Sequence, residues 1–149
     1  MLPRAKGKQV EIIDGDEVRQ NLFQELGYSL EDRCSNMQRM AWIANKLSEH
    51  SIITIISAMN PCALTREKIK KQYENVKEIF ITCSLDSLRL RDTKGLYHRA
   101  ALPESNPNKI YNLSGVNGSF DPPHYPDLTI NTDLLTVDQG IEILVNEIL

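Results

Sequence analysis

An apolar run with β-branched residues, Val10-Glu11-Ile12-Ile13, passes directly into Asp14-Gly15-Asp16. Such a run ending in a glycine-centred acidic turn reads as a buried strand that delivers two carboxylates at its carboxyl end. In an open α/β sheet that end is where ligands bind. Acids one residue apart can hold a hydrated Mg²⁺ and accept a proton from a hydroxyl. Arg19 follows Asp16 by three residues and returns to the same end of the helix that Asp16 can cap. Arg33 and Asn36 have the same spacing on the next helix, and a planar guanidinium suits phosphate or sulfate.

The rest of the chain alternates strands and helices. Asp16 is expected to cap a helix with Val18, Leu22, Phe23 and Leu26 on one face, stopped by Gly27. Ser29 starts a second helix with Asp32 as its capping-box acid, and Met37, Met40, Ala41, Ala44, Leu47 and Trp42 are read as packing residues. Ser51 to Ser57 predicts a fully buried parallel strand. Thr65 is expected to cap a helix to about Asn75 whose Arg66, Lys68, Lys70 and Lys71 form a solvated face. Glu78 to Leu85 predicts a strand holding Cys83 as a small core residue. A short helix over Asp86 to Asp92 follows. Leu102 to Pro126, rich in Pro, Asn, Ser and Gly, reads as an irregular lid or binding loop, with His98 and His124 as exposed loop histidines. Asp127 to Asn131 is the last strand, and Thr136 with Gln139 caps a closing helix whose Ile141, Leu144, Val145 and Ile148 form a core stripe. The first eight residues read as the end of a helix stopped by Gly7.

A net charge of -3 provides no basic stripe, which argues against nucleic acid and against an anionic membrane surface as partners. Cys34, Cys62 and Cys83 are an odd number without a CxxC pair and read as reduced cytosolic thiols. No window approaches a membrane span and no apolar run follows Arg4, Lys6 and Lys8, so neither a span nor a signal peptide is expected. Length and composition point to one globular domain over residues 1–149.

Three segments in order, IIDGDEVR (12 to 19), LGYSLEDRCSN (26 to 36) and RDTKGLYHRA (91 to 100), resemble the adenylylsulfate kinases. That family phosphorylates the ribose 3′-hydroxyl of adenosine 5′-phosphosulfate (APS) to PAPS. The resemblance covers about Lys8 to Leu149. It implies a P-loop-kinase-like α/β three-layer sandwich with a mostly parallel sheet, a cytoplasmic enzyme of sulfate assimilation, ATP as co-substrate, Mg²⁺ as cofactor and APS as the small-molecule partner; it leaves a homodimer open. Carried over by position, Asp16 orients or deprotonates the hydroxyl and Asp14 helps to hold the hydrated metal. Arg19, Arg33, Asn36 and Lys94 would place the sulfate nucleotide, Tyr28 would stack on its adenine, and Arg91 would lie on the ATP side. Residues 93–126 would form the lid.

The sequence also departs from the family. Nowhere does it contain the phosphate-loop pattern G-x-x-x-x-G-K-S/T, whose amides, lysine and hydroxyl hold nucleotide phosphates and Mg²⁺. The resemblance therefore implies a sheet lacking its first strand, through a shortened amino end or a compensating rearrangement, and little or no kinase activity from these residues alone. Ala58-Met59-Asn60-Pro61 stands where the family has a loop close to FISP. Leu113-Ser114-Gly115-Val116-Asn117 replaces FTGID, so Leu113 takes the place of the second aromatic wall. An aromatic platform contributes roughly 1–3 kcal/mol of base stacking, of which leucine retains part. Two alternatives follow: a non-catalytic module that binds an adenosine phosphosulfate, or a kinase for another small acceptor.

Overall fold

A computed structural model of the chain describes residues 7–148. In chain order the elements are β1 (Val10–Asp14), α1 (Gly15–Asn21), α2 (Leu30–Ser48), β2 (Ile53–Ser57), α3 (Ala63–Gln72), β3 (Ile79–Thr82), α4 (Leu85–Arg91), α5 (Leu96–Ala100), β4 (Leu128–Asn131) and α6 (Val137–Ile148). The fold is α/β with parallel strands: β1 pairs with β2, and β3 with β4. The chain divides into two compact units, Met1–Val76 and Lys77–Leu149, with one strand pair in each. The helix expected before Gly7 falls outside the described residues; Gly7 itself has a left-handed φ of 78°.

In the amino-terminal unit, the β1–β2 register sets Ile12 opposite Ile55 and Asp14 opposite Ser57. The acidic turn therefore leaves the sheet level with the start of the β2–α3 loop. Ile13, Val18 and Met40 make the core, with Phe23, Met37, Ile43, Ala44, Leu47 and Ile56 packed around them. Met40 is 1% exposed, and truncating it to alanine should cost about 2–5 kcal/mol. The α2 stripe packs as its spacing requires, except for Trp42, which is exposed because it lies off the Met37–Met40–Ala44 face. Ser29 caps α2: its hydroxyl accepts the Asp32 amide at 3.1 Å and donates to the Asp32 carboxylate at 2.7 Å.

Other expectations fail in this unit: β1, read as a buried strand, buries only Ile13, and Ile12 is 40% exposed because its side chain points to the other face of the strand. Asp14, not Asp16, caps α1, and the helix ends at Asn21, so Leu22, Phe23 and Leu26 follow in turns. β2 is half-buried rather than fully buried, because within its unit it gains cover from β1 along one edge and from α2. α3 begins after Cys62, which places Thr65 inside the first turn, 5% exposed. Arg66 consequently is no solvated residue; it is half-buried and donates to the Asn60 carbonyl at 2.8 Å.

In the carboxyl-terminal unit, β3 runs beside β4 with Phe80 opposite Thr129 and Thr82 opposite Asn131. Ser84 caps α4 by accepting the Ser87 amide at 3.3 Å. Residues 101–127 contain no helix or strand beyond the Ser114–Gly118 bridge, as the turn-rich composition predicts. This segment is held by Phe120, stacked on Phe80 with ring centroids 6.3 Å apart, and by Lys109, which donates to the Leu102 carbonyl at 2.6 Å. Thr136 and Gln139 form the expected reciprocal cap at the start of α6. The α6 stripe is not core, however: none of its residues is buried and Ile141 is 41% exposed. Its ties within the unit include the Lys77–Glu147 ion pair, at the far end from the cap.

Candidate active site

The acidic turn is built from the strand outward. Asp14 keeps extended angles, φ -85° and ψ 131°, and its Oδ1 accepts the amides of Asp16 at 2.9 Å and Glu17 at 3.1 Å. One carboxylate oxygen is thus a helix cap, which an aspartate does well, and Oδ2 takes no part in the cap. Asp16 sits exposed on the first turn of α1. Behind the turn, Asn36 is 2% exposed and its Nδ2 donates to the Gly15 carbonyl over a long 3.5 Å. Its Oδ1 is buried without a hydrogen-bond partner among the described residues.

Two guanidinium groups converge on one ring beside this turn. The carbon centre of the Arg19 group lies 4.8 Å from the Tyr28 ring centroid, and that of Arg33 lies 5.4 Å from it. Arg19 is only 9% exposed; it donates through Nη1 to the Gly27 carbonyl, and its buried Nε has no partner among the described residues. Arg33 donates through Nε to the Tyr28 carbonyl at 3.2 Å. Burial, then the charge of Arg19, pulls Arg33 below the usual arginine range, while Tyr28 and Asp16 pull the other way. Two like charges held close together favour an anion between them. An exposed aromatic ring at the same place gives that anion's organic part a surface.

Six of the expected site residues, Asp14, Asp16, Arg19, Tyr28, Arg33 and Asn36, therefore belong to one corner of the amino-terminal unit. Among the described residues no cluster of three or more His, Cys, Asp or Glu side chains could cage a metal. Asp14 and Asp16 fit an ion that keeps most of its water, which is how Mg²⁺ is commonly held.

Arg91, Lys94 and Leu113 belong to the carboxyl-terminal unit. Arg91 is committed to the turn after β4: Nη2 donates to the Thr132 carbonyl at 2.8 Å and Nη1 to its hydroxyl at 3.1 Å. Lys94 is exposed in the turn before Gly95, whose φ of 65° needs a glycine. The Asp92 carboxylate accepts the amides of Tyr97 at 3.1 Å and His98 at 2.9 Å, so this acid starts α5. His98 accordingly lies on a helix, not in a loop. Leu113 is half-buried, and Asn117 closes the turn beside it by accepting the Leu113 amide at 2.8 Å and donating to the Ile110 carbonyl at 2.9 Å.

Cys83 is not an apolar core residue either. Its thiol donates to the Asp133 carboxylate at 3.2 Å, which also accepts the Ser84 amide at 2.7 Å. The Ser87 hydroxyl foremost, then the Ser84 amide and the Cys83 thiol, hold Asp133 down at about 2. Asp92 and Arg66 escaped the sequence reading because their partners are backbone groups, and Asp133 because Cys83 and Ser84 lie about fifty positions away in the chain. No side-chain pattern announces those.

The adenylylsulphate kinase family model matches residues 2–131. The chain is 36% identical over 144 residues to the adenylyl-sulfate kinase of Deinococcus deserti, covering 97% of this chain and 77% of that protein. It is 33% identical over 145 residues to that of a Synechococcus strain, covering 97% and 80%. Among solved structures, the Mycobacterium tuberculosis APS kinase in complex with AMPPNP and APS superposes with a TM-score of 0.86 at 27% identity, over 95% of this chain and 81% of that one. In the described residues no helix is long and apolar enough to cross a membrane. A family match over residues 2–131 and a relative 36% identical over 97% of this chain mean that the chain belongs to the adenylylsulphate kinase family.

Proposed function

We propose that the protein binds adenosine 5′-phosphosulfate at the Arg19–Tyr28–Arg33 corner and serves the ATP-dependent phosphorylation of its 3′-hydroxyl. The observation that carries this reading is the pair of buried, unpartnered polar atoms there, Arg19 Nε and Asn36 Oδ1. A buried donor or acceptor left unmade costs about 1–3 kcal/mol, so such atoms call for a ligand group. The solved relative was captured with APS and an ATP analogue.

In this reading the two guanidiniums fix the charged phosphosulfate and Tyr28 supports the base. Asn36 holds the acidic turn in place from behind. Asp16, exposed at the start of α1, takes or orients the proton of the attacking hydroxyl. Asp14 contributes Oδ2 to a hydrated Mg²⁺, which would supply neutralisation of phosphoryl charge. From the RDTKGLY match alone, Lys94 is assigned to the sulfate nucleotide and Arg91 to ATP.

The 149 residues contain no phosphate-loop pattern. Positioning and charge neutralisation account for most of phosphoryl transfer, so these residues by themselves should bind the acceptor and turn it over slowly or not at all. This feature equally favours a second reading, a module that binds APS without chemistry. Calorimetry with APS and separately with an ATP analogue tests the site. Binding of APS that Arg33→Ala weakens at least about tenfold supports it, and absence of APS binding overturns it. Formation of PAPS at a rate normal for a kinase would overturn the slow-turnover expectation and the second reading together.

A further inference from the structure

We propose that Cys34 and Cys62 form an oxidisable dithiol, so that peroxide closes a disulfide between the amino ends of α2 and α3. The sequence gives no hint of this, since the two cysteines are 28 positions apart. The fold brings them together. Cys34 lies in the opening turns of α2 and Cys62 is the residue that starts α3. The two helices pack side by side. One turn beyond Cys34, Gln38 accepts a hydrogen bond at 2.8 Å from Lys68 of α3, which links the two helices on the same side. At the level of the cysteines, the two side chains interact directly with each other and share the buried Thr65 hydroxyl. Both are half-buried and unbridged.

The surroundings make the pair unequal. The Thr65 hydroxyl, then the Thr65 amide, with smaller help from Cys34 and the Leu64 amide, favour the Cys62 thiolate against its burial. Burial foremost pushes Cys34 up, although the Thr65 hydroxyl works against that. Thiolate is the reactive form, so attack begins at Cys62. Its sulfur attacks one peroxide oxygen, the O–O bond breaks, and hydroxide leaves to become water by taking a proton. Cys34 then displaces the oxygen from the sulfenic acid at Cys62: the S–S bond forms, the S–O bond breaks, and the Cys34 proton departs with the second water. Two thiols lose two electrons, and one hydrogen peroxide becomes two waters.

The test treats the whole chain with stoichiometric hydrogen peroxide, alkylates the remaining thiols and maps peptides by mass spectrometry without reduction. The expected product joins the Cys34 and Cys62 peptides and leaves Cys83 alkylated. In Cys34→Ser, a sulfenic acid trappable by a diketone should accumulate at Cys62. In Cys62→Ser, Cys34 should oxidise at least about tenfold more slowly than Cys62 does in Cys34→Ser. A bridge to Cys83, a bridge between two chains, or oxidation of all three thiols without a bridge would overturn the proposal. Equal reactivity in the two serine variants would overturn the assignment of roles. The wild-type map stands without either variant, should one fail to fold.

Discussion

A β-carbon placed on Gly15 would stand 2.8 Å from the β-carbon of Ala58, so the acidic turn and the β2–α3 loop touch through a glycine that has no room to be anything else. The requirement is one of space, not of backbone angle, since Gly15 lies at the start of a right-handed helix. Gly15→Ala should lower stability by about 1–3 kcal/mol, the usual range for overpacking. Thermal unfolding followed by circular dichroism reads this directly. Ala58→Gly in the same chain removes the clashing carbon and leaves Ser57 O and Ala58 Cα at 3.5 Å, an ordinary contact. The double variant should therefore recover most of the loss; equal melting of the single and double variants would show that the two positions do not touch.

That contact illustrates what the sequence could and could not show. The strand ending in Asp14-Gly15-Asp16, the α2 packing stripe, and the Ser29 and Thr136 caps follow from local spacing, and each is where the spacing puts it. Which of two aspartates caps α1 was not legible, because the choice rests on the extended angles at Asp14, imposed by its ladder with β2. Thr65 misled for a related reason: threonine is a better cap than cysteine, but with Pro61 buried ahead of it α3 starts earlier, at Ala63. Trp42 needed only helical arithmetic, since it stands two residues from Met40 and so on the opposite side. The convergence of Arg19 and Arg33 on Tyr28 depends on how α1, the turn after it and α2 meet. Residue order suggested it only through the resemblance.

Asn117 offers a second test. Its amide both accepts from Leu113 and donates to Ile110, a combination that a carboxylate cannot reproduce. Asn117→Asp should loosen the turn by about 0.5–1.5 kcal/mol, the net contribution of one hydrogen bond. Faster amide exchange confined to residues around Leu113 and Gly118 would report it. Unchanged exchange there would show that the turn does not depend on this side chain.

Asp133 sets a pH dependence. Its folded value of about 2 lies below the unfolded one, near 3.9. The carboxylate form is thus favoured by folding, and its contribution is present above about pH 4 and is lost as pH falls towards 2. Asp92 is shifted in the same direction by the His98 amide foremost, so it adds to the same acid limb. Asp133→Asn should flatten the fall in melting temperature between about pH 4 and pH 2 relative to the parent chain. Parallel curves for the two chains would sink the assignment.

The Arg19–Tyr28–Arg33 corner makes the sharpest functional prediction. Tyr28→Phe keeps the ring face over which both guanidiniums lie and should change APS affinity little, because the backbone carbonyl of residue 28, not the phenol, receives Arg33. Tyr28→Ala removes that face and, if the base stacks there, about 1–3 kcal/mol of binding, or roughly 5- to 150-fold. Arg33→Ala removes a charge-assisted contact of about 1.5–3 kcal/mol, hence roughly 10- to 150-fold. Arg33→Lys should recover only part, since an ammonium lacks the planar fork that reaches Tyr28 O and an oxyanion together. Calorimetric titration with APS ranks the four variants. An order in which Tyr28→Phe weakens binding as much as Arg33→Ala would place the recognition in the phenol hydroxyl and leave the guanidinium pair without its proposed ligand.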